Sequence, residues 1–355
     1  MTKKTALKRL VAMILALMAF TAAVVFVMDP FYQYHRPYFG MEAVLHDRDN
    51  QMPGTVRNFA YNSVLLGSSV MENCDHTYLD QNTGNTTLKI AKASGSVADL
   101  LYYLDMAWEG HDLRQVYWCL DLPSLSSSST PTLKRGGDAP WYLHTKNMID
   151  DIPYVYNKEI IFQQIPYTFA AARKGKNTGG KAYYWADDKT FSAESVKRVY
   201  QKPKEVLPEK DFTEDRQRLN ENLTLLKAQM EAHPETEYVF FIPPFSMAWW
   251  DCAYVNGELP KNLYVMEETM RMLLTIDNAT LYFFQGEEDI VCNLDIYMDM
   301  LHYNPQVNQY MLEMVIAGES LVTEENIDET IEHMEVLVQD IIENRIYEHY
   351  PREEK

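Results

Sequence analysis

Hydrophobic positions fall along the chain in three distinct patterns. Residues 10–28, LVAMILALMAFTAAVVFVM, form one uncharged run. At about 1.5 Å per residue a helix of that length reaches roughly 28 Å, close to the thickness of a bilayer core, so the pattern predicts a membrane span. The second pattern is a series of short apolar runs closed by small or polar residues, which predicts buried strands feeding loops. These runs are 61–66 (YNSVLL) before Gly67-Ser68-Ser69, 87–91 (TLKIA) before Ser94-Gly95, 115–120 (QVYWCL), 238–242 and 280–284. The third pattern recurs at helical spacing. Val97, Leu100, Leu101, Leu104 and Trp108 follow a capping box of Ser96 and Asp99, and Leu219, Leu223, Leu226 and Met230 follow Asp211 and Glu214. A further helix is expected over 263–274, and Ile327, Ile331, Met334, Val338 and Ile341 predict an amphipathic one near the C-terminus.

Strand alternating with helix predicts a three-layer α/β/α domain with a mostly parallel sheet, whose ligand site lies beyond the carboxyl ends of its strands. The expected organisation is a basic tip and anchor over 1–29, a stalk over 30–60, the α/β domain over 61–318 and a C-terminal helix over 319–355. The alternation breaks between about 123 and 210, where a serine run, many aromatics (Trp141, Tyr142, Tyr154, Tyr156, Tyr183, Tyr184, Trp185) and a basic loop around Arg173, Lys174, Lys176 and Lys181 predict an insertion over the site.

Lys3, Lys4, Lys8 and Arg9 precede the apolar run and Asp29 follows it, so the positive-inside rule leaves the N-terminus in the cytoplasm and the rest outside. A cleaved signal peptide with a site in 19–23 is the competing reading, against which the length of the run argues. With 32 basic and 51 acidic residues, a net charge of −19, the chain has no basic stripe for nucleic acid. Cys74, Cys119, Cys252 and Cys292 contain no C-x-x-C pair, which removes zinc and thioredoxin chemistry and leaves open one or two bridges or buried thiols. No cofactor or metal is expected.

The candidate chemistry sits at strand ends. A serine hydroxyl becomes a nucleophile when an imidazole takes its proton, and the imidazole needs a carboxylate to fix its tautomer. Ser69 follows the first strand, and Asp299 and His302, three residues apart and able to share one turn, follow the last. No G-x-S-x-G surrounds Ser69, since Met71 stands at the second glycine position, and no Walker A, dinucleotide or H-E-x-x-H motif occurs. Pro243-Pro244-Phe245-Ser246 with Trp249 and Trp250 could line a sugar or acyl site or be plain core. Arg173 and its basic neighbours could meet phosphate or simply be solvated.

In these motifs the chain resembles the SGNH/GDSL hydrolase superfamily, which carries its nucleophile in a Gly-x-Ser after the first strand and an Asp-x-x-His near the C-terminus. Ser69, Asp299 and His302 match. The segments LGSSVMEN (66–73) and DPFYQYHRP (29–37), behind one N-terminal span, are similar to the membrane-anchored DltD-like branch, of D-alanyl-lipoteichoic acid biosynthesis in Gram-positive bacteria. The resemblance implies an extracytoplasmic serine esterase or O-acyltransferase acting on an acylated cell-envelope glycopolymer, beside a membrane-embedded O-acyltransferase. It also implies an oxyanion hole from the N–H groups of Ser69 and Gly95 and an Asn after the third strand. That strand instead ends Leu120-Asp121-Leu122-Pro123, with no Asn. Asn73 is the candidate substitute, while Asp121, which would repel an oxyanion if ionised, could hold a loop through backbone N–H groups. The departure leaves a second expectation, a catalytically degenerate binding or scaffold protein of the same fold.

Overall fold

The computed structural model describes residues 2–38, 40–132 and 140–352. Residues 133–139 of the expected insertion, together with 1, 39 and 353–355, lie outside the described residues. Contacts divide the chain into two compact units, one of residues 1–60 and 133–183, the other of 61–132 and 184–355.

The larger unit is the α/β domain. Its strands are β1 (Ser63–Gly67), β2 (Thr87–Ala91), β3 (Gln115–Cys119), β4 (Glu237–Ile242), β5 (Ala279–Phe283) and β6 (Leu321–Val322), in the spatial order β2-β1-β3-β4-β5-β6. The first five are parallel and β6 pairs antiparallel with β5. Five of these strands coincide with the apolar runs to within two residues. The two-residue β6 carries no such run; it exists only because Val322 and Leu321 find Leu281 and Tyr282.

The sheet grows in one direction from β1 to β2 and in the other from β1 through β3 to β5. Right-handed crossovers then put the connecting helices on opposite faces, which makes three layers and leaves a crevice beyond the carboxyl ends of β1 and β3, where the order reverses. The helix Val97–Trp108 opens with the expected capping box, Ser96 and Asp99 each bonding the other's backbone. Thr213–Ala232 buries Leu219, Leu223, Leu226 and Met230, but Asp211 caps one residue outside it, accepting from the N–H of Thr213 at 3.0 Å. Helix Leu259–Leu274 starts earlier than its apolar pattern because a proline at its first turn preorganises the backbone. All five apolar positions of the C-terminal pattern are buried in helix Ile327–Glu343, so its apolar face packs on its own domain.

Beyond their first residues the central strands are buried, because both faces of the sheet are covered. Trp118 on β3 and Phe240 on β4 are register partners with ring centroids 5.9 Å apart, and Phe240 is fully buried. Phe240→Ala is expected to lower unfolding free energy by about 3–5 kcal/mol. The check is a denaturant titration in which the midpoint falls and the slope does not change.

The smaller unit contains the residues of the expected stalk. Residues 48–58 form a helix capped by Asp47, whose Gln51, Met52, Val56 and other side chains are buried. The missing signal is physical: this helix has few apolar residues and a proline at position 53, and polar atoms do the fixing. Gln51 Nε2 donates to the carbonyls of Pro30 and Val44, at 2.9 and 2.8 Å. The apolar helix Lys3–Met28 ends at Asp29, which adopts a left-handed conformation and sends its N–H back to the Val25 carbonyl. The buried Asp29 carboxylate accepts from the N–H groups of Gln33, Tyr34 and His35 and from the Tyr154 hydroxyl, the last at 2.8 Å. Val25, Phe31, Leu143, Tyr154 and Ile160 close around that corner as a small core. Residues 30–38 are thus a folded turn of this unit.

Candidate active site

Ser69 owes its position to Gly67, the last residue of β1. A Cβ on Gly67 would lie 2.8 Å from Met71 Cβ and 3.1 Å from Cys119 Cβ, so only glycine lets the chain turn there against β3. The ladder runs on past the strand through Lys92 N–H to Gly67 O at 3.1 Å, and residues 68–73 form successive turns. Asn308, on helix Pro305–Ala317, holds those turns from beneath, its Nδ2 donating to Val70 O at 2.8 Å and Cys74 Sγ at 3.2 Å.

The structure brings Ser69, His302 and Asp299 together across 233 residues of sequence. Ser69 Oγ lies 2.8 Å from His302 Nε2, and His302 Nδ1 lies 2.8 Å from Asp299 Oδ2. The other carboxylate oxygen of Asp299 accepts the N–H groups of Leu301 and His302, both at 2.8 Å, which winds the loop so that the i, i+3 side chains meet. Burial alone raises the Asp299 pKa, but the hydrogen bonds and charge of His302 and the two backbone donors outweigh it and hold the carboxyl below its ordinary value. An ionised Asp299 only accepts, so Nδ1 carries the imidazole proton and Nε2 is left to accept from the Ser69 hydroxyl. The N–H and Oγ of Ser246 both reach Met300 O, at 3.1 and 2.8 Å, tying this loop to the end of β4.

Trp185, read from sequence only as one aromatic among many, is part of this arrangement. Its Nε1 donates to Ser69 O at 3.1 Å, its backbone N–H donates to Asn73 Oδ1 at 3.2 Å, and its ring meets the His302 ring edge-on at 5.5 Å. Trp185→Phe keeps an aromatic ring and removes the indole N–H donor. Reaction of Ser69 with an electrophile should slow by about fivefold to tenfold, the worth of roughly 1 kcal/mol, with melting temperature nearly unchanged.

Of the two further donors expected for an oxyanion, one is engaged in a backbone turn and the other is not. The N–H of Gly95 is engaged in its own turn, donating to Lys92 O at 2.9 Å, and a Cβ there would press within 2.9 Å of Lys92 O, so glycine serves the turn. Asn73 is buried in a turn, and its carboxamide oxygen accepts from the Trp185 N–H while its Nδ2 is buried without a partner among the described residues. The N–H of Ser69 itself makes no backbone hydrogen bond within the described residues. Asp121 is a loop holder. Its Oδ1 accepts the Ser124 N–H at 2.9 Å to cap the turn Leu122–Leu125. Burial raises its pKa despite that bond.

Of the aromatic pair, Trp250 is fully buried with its Nε1 on Gln285 Oε1 at 3.0 Å, so it is core; Phe245 is buried too, and Trp249 is half-buried against it at 4.9 Å. All four cysteines are free, and burial pushes the thiols of Cys74 and Cys119 upward, as expected of inert core thiols. Among the described residues no cluster of His, Cys, Asp and Glu could hold a metal ion.

No model of a known protein family matches the chain, and no curated protein matches it. A search of solved structures finds a chain described, provisionally, as a platelet activating factor from Streptococcus pneumonia, with 11% sequence identity and a TM-score of 0.39, covering 76% of this chain and 90% of that one. A likeness this distant carries no argument about chemistry. The structure itself shows an α/β fold with a six-stranded, mostly parallel sheet and a long apolar N-terminal helix.

Proposed function

We propose that this chain is a membrane-anchored serine esterase or O-acyltransferase. The observation that carries the reading is the unbroken relay of two 2.8 Å contacts from Ser69 through His302 to Asp299, set at the crevice where the strand order reverses. Ser69 Oγ attacks an acyl carbonyl while His302 Nε2 takes its proton. The C–O bond to the departing alcohol breaks as His302 returns the proton to the leaving oxygen, and the acyl group remains on Ser69. A second acceptor, water or a hydroxyl, then gives its proton to His302 and takes the acyl group, restoring the serine. Water gives hydrolysis and a hydroxyl gives transfer, and the same three residues serve both.

The Lys3–Met28 helix, long and apolar enough to cross a membrane, supports an anchor that leaves the α/β domain outside the cytoplasm. The likeness of residues 29–37 and 66–73 to the DltD-like branch supports a cell-envelope glycopolymer as acceptor and a membrane-embedded O-acyltransferase as neighbour. The second reading, a binding or scaffold protein of the same fold, is favoured by the engaged Gly95 N–H and by Asp121 in place of an oxyanion-hole Asn. Intact-mass analysis after exposure of the full chain to a fluorophosphonate separates them. One adduct, mapped to Ser69, is expected; a folded protein that takes none overturns the enzymatic reading in favour of the scaffold.

A further inference from the structure

Among the described residues, the stretch after residue 140 exposes several large apolar side chains. Phe162 and Ile149 are 75% and 73% exposed, and Trp141, Met148, Ile152 and Phe169 are exposed as well. Single exposed apolar residues need no explanation, but this many in thirty residues of a folded unit mark a surface made to be covered. What covers it is indicated by what lies beside it. Tyr154 and Ile160 pack on Val25 at the C-terminal end of the apolar helix, so this stretch is fixed where that helix stops being apolar. A groove of about 470 Å³ opens at the same corner, with Met28, Ile165 and Phe169 on its apolar lining and Arg173 and Lys174 at its basic end. The Arg173 guanidinium sits 4.8 Å from the Phe169 ring centroid, which keeps a cation beside the apolar surface. Charge points the same way. In a chain of net charge −19, residues 141–174 hold four basic residues against three acidic, and Arg173, Lys174 and Lys176 cluster at the groove end with no acidic residue between them.

We infer that residues 141–174 dock on the bilayer surface into which the Lys3–Met28 helix inserts. Ile149, Ile152, Phe162 and Phe169 enter the interfacial layer, and Arg173 and Lys174 pair with anionic phospholipid headgroups. Apolar side chains entering the headgroup boundary, with cations at the phosphate level, is the arrangement of monotopic surfaces. The inference rests on the anchor reading of the N-terminal helix and is independent of any reaction at Ser69.

The test places a nitroxide at one position at a time in the full chain, with Cys252 and Cys292 replaced by serine, reconstituted in phosphatidylcholine vesicles with and without phosphatidylglycerol. Phe162→Cys and Ile149→Cys report the face, Met13→Cys the span, and Lys227→Cys, on an exposed part of the α/β domain, water. Expected for positions 162 and 149 is a ratio of oxygen to nickel-chelate accessibility several-fold above that of position 227 and below that of position 13. The ratio should fall when phosphatidylglycerol is omitted and when Arg173→Gln and Lys174→Gln are combined. Labels at 162 and 149 as open to the nickel chelate as position 227, with position 13 still deep, overturn the docking while the anchor stands. Labels shielded from both reagents assign the face to a protein contact and overturn it as well. A water-exposed position 13 removes the anchor, and the docking falls with it.

Discussion

His302→Ala is expected to slow fluorophosphonate labelling of Ser69 by about four orders of magnitude or more, although Ser69 itself is untouched. The hydroxyl is a weak nucleophile at its own pKa, and among the described residues the base at hydrogen-bond distance from its Oγ is His302 Nε2, at 2.8 Å. Ser69→Ala should remove the adduct altogether. Neither change touches the sheet core: both side chains are partly exposed at a loop end, so melting temperatures of the two variants should stay close to that of the parent. Labelling that persists in His302→Ala at the parental rate would show that another group activates the serine. Equal loss in a variant that has also lost its fold would decide nothing about chemistry, so circular dichroism of each variant belongs with the mass measurement.

Asp299→Asn should cost about 10⁴ in the same rate, for a reason written in the loop geometry. Asp299 Oδ1 is held by the N–H groups of Leu301 and His302, so an asparagine keeps its oxygen there and presents its NH₂ to His302 Nδ1. The imidazole then accepts at Nδ1 and carries its proton on Nε2, where it cannot receive one from Ser69. The variant also has a stability signature. The Asp299 carboxyl lies below its ordinary pKa in the fold, because the bonds and charge of His302 outweigh the opposing effect of burial. A folded pKa below the unfolded one gives stabilisation that is complete above the unfolded value and is lost as pH falls through the folded one. Below about pH 4 the parent should therefore lose stability more steeply than Asp299→Asn. Parallel acid-unfolding curves for the two proteins would contradict that assignment.

The two halves of the active-site reading were legible to different degrees. A Gly-Ser-Ser closing an apolar run and an Asp-x-x-His after the last run are local patterns, and the parallel order of the runs is enough to expect their strand ends to converge. The stabilising donors are not local. Whether Gly95 offers its N–H depends on a turn that aims it at Lys92 O, and whether Asn73 faces the site depends on Trp185, which lies 112 residues away. Nothing in the spacing of residues encodes either choice. Trp185 itself stood among many aromatics in a region without period, so its role beside His302 had no periodic signal to announce it.

The stalk shows the same limit from the other side. Residues 48–58 are too polar to be recognised by hydrophobic period, and their helix is fixed by Gln51 reaching two carbonyls at once, while Asp29 shapes the preceding turn by gathering three N–H groups and a tyrosine hydroxyl. By contrast, the apolar N-terminal helix, five of the six strands and the amphipathic helices are each specified by a repeat of apolar positions, because burying one face is a local demand that any sequence window displays. The amino-acid order alone thus determined the anchor-like helix, the α/β alternation and the identity of a serine, a histidine and an aspartate at strand ends. Which N–H groups are left for an oxyanion, which aromatic touches the histidine, and which polar side chains lock the first sixty residues were decided by tertiary structure, since hydrogen-bond partners far apart in sequence meet only once the packing has chosen their distances and directions.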